Sequence, residues 1–134
     1  MPLPQIIRFS RTRGAPVEPL LQQRVLERIM ECHTRHGGSM PLPTVSFDLR
    51  GQTAGQAFLG KHHIRLNGQL LNENPDHFIR QTVGHEWAHL LCHHQHGPHV
   101  SAHGKEWKTI MMALGLNPER CHTYDTARSK IRRV

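Results

Sequence analysis

The chain has little of what membrane segments, secretory leaders and disulfide-stabilised scaffolds require. Its 134 residues contain 3 cysteines, and the N-terminal stretch MPLPQIIRFSRTRGAP lacks the apolar core of a secretory signal. There is no apolar run of the roughly 18 residues that a transmembrane helix needs. Unpaired cysteines are typical of a reducing compartment. We therefore predict a cytoplasmic protein that does not partner with a membrane.

Acidic residues are also scarce, with 10 Asp and Glu against 17 Lys and Arg, so the formal net charge is +7 at pH 7. This balance favours anionic partners, and DNA is the expected one. The basic residues proposed to contact it are Arg11, Arg13, Arg128, Lys130, Arg132 and Arg133. Such contacts to phosphates would be weak and independent of nucleotide sequence. Because Tyr124 is the one aromatic residue near this tail, no base-stacking platform is predicted there.

The segment His85-Glu86-Trp87-Ala88-His89 carries the chemistry of the chain. Histidines four residues apart lie on one face of a helix and can bind one zinc ion. Zinc lowers the pKa of a water molecule towards about 7, and the intervening Glu86 is placed to accept its proton as a general base. The helix is predicted to start at Asn74-Pro75-Asp76, with Asn74 as its N-cap.

A catalytic zinc site uses a third protein ligand. The downstream pattern of metzincins fails, because Cys92 and Gln95 stand where glycine and histidine are needed. The remaining candidates are Glu106 and Glu119, or one of the histidines His93, His94, His96, His99, His103 and His122. His103 is the preferred ligand because it opens a second predicted helix, from about 104 to 114, and Glu106 is the alternative. His122 and Tyr124 can donate to a reaction oxyanion, although packing against the domain is the favoured interpretation.

Together with His103-Gly104-Lys105-Glu106-Trp107, this motif resembles the SprT-like zinc metallopeptidases, which include bacterial SprT and the eukaryotic Spartan proteases. The similarity extends over roughly residues 20–125 and implies the ligand set His85, His89 and His103. It also implies a peptidase with weak sequence preference; in the Spartan branch the substrates are proteins crosslinked to DNA. The three cysteines form no C-x-x-C pair, so we expect a short form without the C-terminal zinc ribbon of many bacterial relatives.

We predict one α+β domain of minimal zincin-like plan at 17–126, between an irregular N-terminal arm at 1–16 and a basic tail at 127–134. A helix from about 18 to 36 comes first. A strand through Val45, Phe47 and Leu49, half-buried by its alternation, and a hairpin around Gly60 form a small three-stranded antiparallel sheet. The HExxH helix and the second metal-ligand helix follow.

Two functions fit this pattern. The first is a zinc-dependent endopeptidase that cleaves a protein or peptide, with DNA-bound or DNA-crosslinked proteins as substrates and Glu86 as the catalytic base. The alternative is a non-catalytic, zinc-stabilised module that binds nucleic acid or a regulatory partner. Glu86 favours the enzyme, since a structural zinc site has four protein ligands and needs no general base.

The basic tail generates a prediction about DNA. Replacing Arg128, Lys130, Arg132 and Arg133 with glutamine should weaken binding and flatten its salt dependence by about 0.9 in log K per log salt for each phosphate that the tail no longer neutralises. A binding titration of duplex oligonucleotides over a salt series measures this, with zinc content as the control for folding. Absence of binding at low salt would contradict the DNA assignment.

Overall fold

The structure is a computed structural model, and it describes residues 3–7, 16–119 and 121–126. It has an α+β fold with an N-terminal helix and one small sheet, as predicted. The helices and strands in chain order are α1 (Pro19–His36), β1 (Thr44–Leu49), β2 (Gly55–Phe58), β3 (His63–Asn67), α2 (Gly68–Glu73), α3 (Pro75–His77), α4 (Val83–His96) and α5 (Lys105–Ala113). The helix predicted from about 18 to 36 is therefore confirmed as α1, and the one predicted from about 104 to 114 as α5.

The sheet is mixed, so the prediction of an antiparallel sheet is wrong for one of its two strand pairs. Strand order is β1-β3-β2: β3 runs antiparallel to β2, as a hairpin must, and parallel to β1. The reason is that β3 inserts between the two earlier strands. On the far side of β1, Ile6 pairs in parallel with Val45. β2 is left at the opposite edge, where it packs against α4.

β1 was predicted to expose its polar face to solvent, but that face is buried in the structure. Ser46 and Asp48 are 1% and 6% exposed. The Ser46 hydroxyl donates to Asp48 Oδ1 (2.7 Å), so it accepts from His63 Nε2 (2.8 Å), and His63 Nδ1 then accepts from the Thr44 hydroxyl (2.7 Å). Arg65 Nε also donates to Asp48 Oδ1, at 3.0 Å. These bonds hold the ring of His63 in place and tie β1 to β3.

The helix that carries the HExxH motif is interrupted at its start. A helix does start at Pro75 with Asn74 at the N-cap position, as predicted, but the Asn74 side chain donates to the Leu70 carbonyl of α2 (3.0 Å) and makes no capping bond. The chain continues through α3 and a π-helical turn, Phe78–Thr82, before α4 begins. π-Helical turns are rare and are frequent at functional sites.

One apolar face anchors α4 in the core. Val83 and Trp87 are fully buried, and Leu90 and Leu91 are 1% and 2% exposed. Cys32 and Cys92 are buried, whereas Cys121 is exposed. In the part of the chain that the structure describes, no helix has the length and apolar character needed to cross a bilayer.

The His63 network generates a prediction about acid stability. Burial lowers the pKa of His63 to about 4, against an ordinary value of 6.5. Between pH 6.5 and pH 4, His63 therefore binds a proton in the unfolded chain but not in the folded chain. The contribution of His63 to the free energy of unfolding is present above pH 6.5 and is lost as the pH falls towards 4. The loss from pH 7 to pH 5 is about 2 kcal/mol for this one group.

The variant His63→Gln keeps hydrogen-bonding groups on the strand but removes the titrating ring. Urea unfolding of the metal-free protein at pH 7 and pH 5 should show a smaller difference in the free energy of unfolding than for the original chain. His36→Gln, which removes an exposed imidazole at the end of α1, serves as the matched control. An unchanged difference in His63→Gln would contradict the assignment.

Candidate metal centre

Three imidazoles converge on one point beside α4. His103 Nε2 lies 3.1 Å from His89 Nε2 and 3.3 Å from His85 Nε2. One ring nitrogen from each residue lies within 4.8 Å of the other two, which is close enough for a single metal ion to contact all three. Among the described residues, no other group of this kind occurs.

Local chain geometry explains the convergence. His85 and His89 are four residues apart on α4, so they share one face of the helix. The helix ends at Gly97, whose φ of 78° lies in the left-handed region that glycine adopts without strain. A turn closed by the Gly104 amide on the Ser101 carbonyl (3.1 Å) then returns the chain, so that His103 lies just ahead of α5.

Trp107 of α5 packs against all three imidazole rings. Its side chain is fully buried, and its indole N–H donates to the His85 carbonyl at 3.4 Å. Its ring lies 4.7 Å from His85, 4.8 Å from His103 and 5.2 Å from His89, with the His89 ring stacked on it. The other tryptophan, Trp87, faces the core and meets His33 edge-on at 6.1 Å. Trp107 thereby fixes the orientation of the ligand set.

Two of the imidazoles, those of His85 and His89, are in the neutral form that binds a metal. Burial, followed by the charge of His103, lowers the pKa of His85 to about 4. Burial, followed by the charges of His85 and His103, lowers the pKa of His89 to about 3. Both rings are therefore neutral at physiological pH, and a neutral imidazole offers the nitrogen lone pair that a metal binds. The donor set fits a divalent ion.

Glu86 lies next to this cluster without belonging to it. The residue is 7% exposed, and its Oε2 is 3.9 Å from His85 Nε2. Burial raises the pKa of this carboxyl group to about 8. A nearby dication acts in the opposite direction, since it favours the ionised form. Without a cation the Glu86 carboxyl group is therefore mostly protonated near pH 7, and a cation bound at the three imidazoles would favour the carboxylate that can accept a proton.

The cluster opens into a cleft of about 640 Å³. One wall is β2 with the residues before it, from Gln52 to Ala57, and the floor is the face of α4 that carries His85, Glu86 and His89. The opposite wall comes from the segment after α5, between Asn117 and Tyr124. The lining combines polar side chains, such as Gln56 and Thr123, with apolar ones, such as Ala57 and Leu59, and its exposed surface is more apolar than polar.

His122 and Tyr124 connect the segment after α5 to the rest of the domain by hydrogen bonds. His122 Nε2 donates to the Gln52 carbonyl at 2.6 Å, and its Nδ1 accepts from the Tyr124 amide at 3.1 Å. The Tyr124 hydroxyl lies 2.8 Å from His77 Nδ1 and 2.9 Å from Thr82 Oγ1. Both side chains thus bind the domain itself, in line with the packing interpretation.

The other candidate residues lie apart from the three histidines. Glu106 is half-buried on α5, Glu119 is exposed at the cleft wall, and neither joins the cluster. His94 and His96 are exposed at the end of α4, and His93 is half-buried there. The basic residues assigned to DNA contact lie outside the described residues; they are Arg11, Arg13, Arg128, Lys130, Arg132 and Arg133.

Sequence reasoning did not find three residues that shape the cleft: Gly55, Gln52 and His77. Gly55 borders Glu86, Gln52 accepts the His122 bond through its carbonyl oxygen, and His77 lies on the turn before the motif. A glycine two residues before the predicted hairpin is the one available indication, because a glycine in a strand often marks a close approach of another group.

Comparison with known proteins shows which family the chain is similar to. The model of the SprT-like family matches residues 23–126, which is most of the chain. Protein SprT of Pseudomonas aeruginosa is 54% identical over 91 residues, covering 67% of this chain and 55% of that protein. Protein SprT of Pseudomonas entomophila is 47% identical over 110 residues, covering 81% and 67%. No solved structure matches significantly.

The chain therefore belongs to the SprT-like family. It spans only about 55% of the length of the Pseudomonas aeruginosa relatives that it matches.

The geometry predicts that the chain retains one metal ion. Replacing His103 with alanine should lower the affinity for zinc by more than the 10–100-fold that typically follows loss of an outer-shell partner. Glu106→Ala on the next helix is the matched control and should retain the ion. Elemental analysis after dialysis against a graded chelator measures both. Retention in His103→Ala with loss in Glu106→Ala would transfer the third ligand to Glu106.

Proposed function

We propose that this chain is a zinc-dependent endopeptidase with a minimal zincin-like architecture. The observation that carries the proposal is the convergence of three imidazoles beside a buried carboxylate, inside a cleft bordered by a sheet edge. Membership of the SprT-like family supports it. The proposed roles are His85, His89 and His103 as metal ligands and Glu86 as the general acid and base.

Zinc is the ion that this donor set suits best. Catalytic zinc sites commonly use three protein ligands, three histidines among them, and leave a fourth position for water or substrate. When bound, zinc polarises a carbonyl group and makes a water molecule more acidic. The alternative of a structural site is less well supported, because such a site has four protein ligands and the described cluster has three.

Glu86 performs the proton transfers in this proposal. Its carboxylate accepts the proton of the attacking water and later donates it to the amine that leaves when the peptide bond breaks. A group that first takes and then returns a proton works best with a pKa near the operating pH. Burial raises the pKa of Glu86, and a cation lowers it, so the two influences together hold the group in that range.

The edge of the sheet suggests how a substrate binds. Among the described residues, β2 pairs with β3 on one side only, and its other side borders the cleft. An extended peptide can add to such an edge through backbone hydrogen bonds, which carry little sequence information. By analogy with the Spartan branch, we propose DNA-bound or DNA-crosslinked proteins as substrates and DNA as a weakly bound partner.

Replacing Glu86 with glutamine tests the enzymatic role. The variant keeps the size of the side chain and the ligand set, so zinc content and unfolding temperature should stay unchanged. Peptidase activity should fall by about 10²–10⁴-fold, which is the usual contribution of general acid–base catalysis. The assay follows cleavage of a DNA-binding protein, with and without DNA, in the zinc-loaded chain.

Glu119→Gln is the matched control, since it removes an exposed carboxylate elsewhere on the cleft wall and should keep the activity of the original chain. Activity of Glu86→Gln within about tenfold of the original chain would remove the general-base role. Cleavage that persists after the zinc has been stripped would remove the metal-dependent mechanism as a whole.

A further inference from the structure

The backbone of β2 comes unusually close to Glu86 at Gly55. A β-carbon placed on Gly55 would lie 2.8 Å from Cγ of Glu86, 3.0 Å from its Oε2 and 3.2 Å from its Cδ. Distances below 3.0 Å are essentially never seen for real β-carbons, so a side chain at residue 55 would force Glu86 to move. The carboxyl group of Glu86 thus lies directly against the strand.

Backbone conformation does not explain why residue 55 is glycine. The glycines with positive φ in the described chain are Gly38, Gly51, Gly97 and Gly115. Gly55 is not one of them, and it pairs with Leu66 in the regular antiparallel ladder of β2 and β3. A glycine inside a strand weakens it and often marks a site where another group approaches closely. Here the approaching group is Glu86.

The atoms nearest to an added β-carbon show which group a substitution would displace. At Gly84, an added β-carbon would meet Leu116 Cδ1 at 2.3 Å, and the core would be disturbed. At Gly55 the three nearest atoms all belong to the side chain of Glu86. Since that side chain can rotate and β2 is held by β3, a substitution at residue 55 displaces the carboxylate and leaves the strand in place.

We propose that Gly55 is a positioning residue for Glu86: the bare backbone of β2 forms the wall that sets the rotamer of the catalytic carboxylate. This inference rests on the proposed function of Glu86. It adds that the sheet edge has a second role besides binding the substrate, because the strand along which a peptide would lie also fixes the group that handles the protons.

The test compares Gly55→Ala with Gly60→Ala, a control two residues beyond β2 where an added β-carbon has nothing within 4 Å. In Gly55→Ala, kcat should fall by about 10–10²-fold, since a displacement near 1 Å can cost 10²-fold. KM and zinc content should change less than twofold. Gly60→Ala should match the original chain. In a Glu86→Gln background, Gly55→Ala should cause no further loss, because the two changes act on one group.

A second readout does not depend on activity. In the metal-free protein labelled with carbon-13 at glutamate carboxyl groups, the Glu86 signal is assigned by its loss in Glu86→Gln. That signal should shift in Gly55→Ala and stay in place in Gly60→Ala. An unshifted signal, or equal activity of Gly55→Ala and the original chain, would overturn the proposal for Gly55. If the original chain itself cleaves nothing, the peptidase assignment fails, while the carboxyl signal still decides whether Gly55 positions Glu86.

Discussion

The packing of Trp107 against the three imidazoles is the interaction on which the site depends. The indole is fully buried and touches His85, His89 and His103, so one side chain joins the core to the cluster. Removing a ring of this size from a core typically costs about 3–5 kcal/mol. The site is therefore as rigid as the packing between α4 and α5, which suits a ligand set that must keep its geometry with or without an ion.

α4 belongs both to the hydrophobic core and to the candidate metal centre. Its apolar face, with Val83, Trp87 and Leu91, lies in the core, and its other face presents His85, Glu86 and His89 to the cleft. Burial of one carboxyl group and two imidazoles beside that core favours the neutral form of each group when no ion is bound. The same desolvation that destabilises the isolated ionised groups prepares them to bind a cation, which then compensates for it.

Local patterns predicted α1, α5 and the histidine pair on α4, because periodicity and i,i+4 spacing act within one segment, whereas α2 and the π-helical turn before α4 were not predicted. The limits of α1, the hairpin around Gly60 and the position of His103 before α5 all belong to this class. The mixed sheet could not be predicted in this way, since alternation along β1 is the same for either strand direction. The buried face of Ser46 depends on His63 and Arg65 from another strand, and the approach of Gly55 to Glu86 depends on how β2 meets α4. Such contacts exist only after the chain has folded.

In the proposed function, one ion at the three imidazoles makes the chain a peptidase. The most direct test of this proposal is a zinc titration of the metal-free protein, with cleavage of an unfolded protein substrate measured at each step. The account predicts that activity rises in proportion to added zinc and reaches its maximum at one equivalent per chain. Zinc binding at one equivalent without any cleavage would contradict it, as would activity that appears only after a second equivalent.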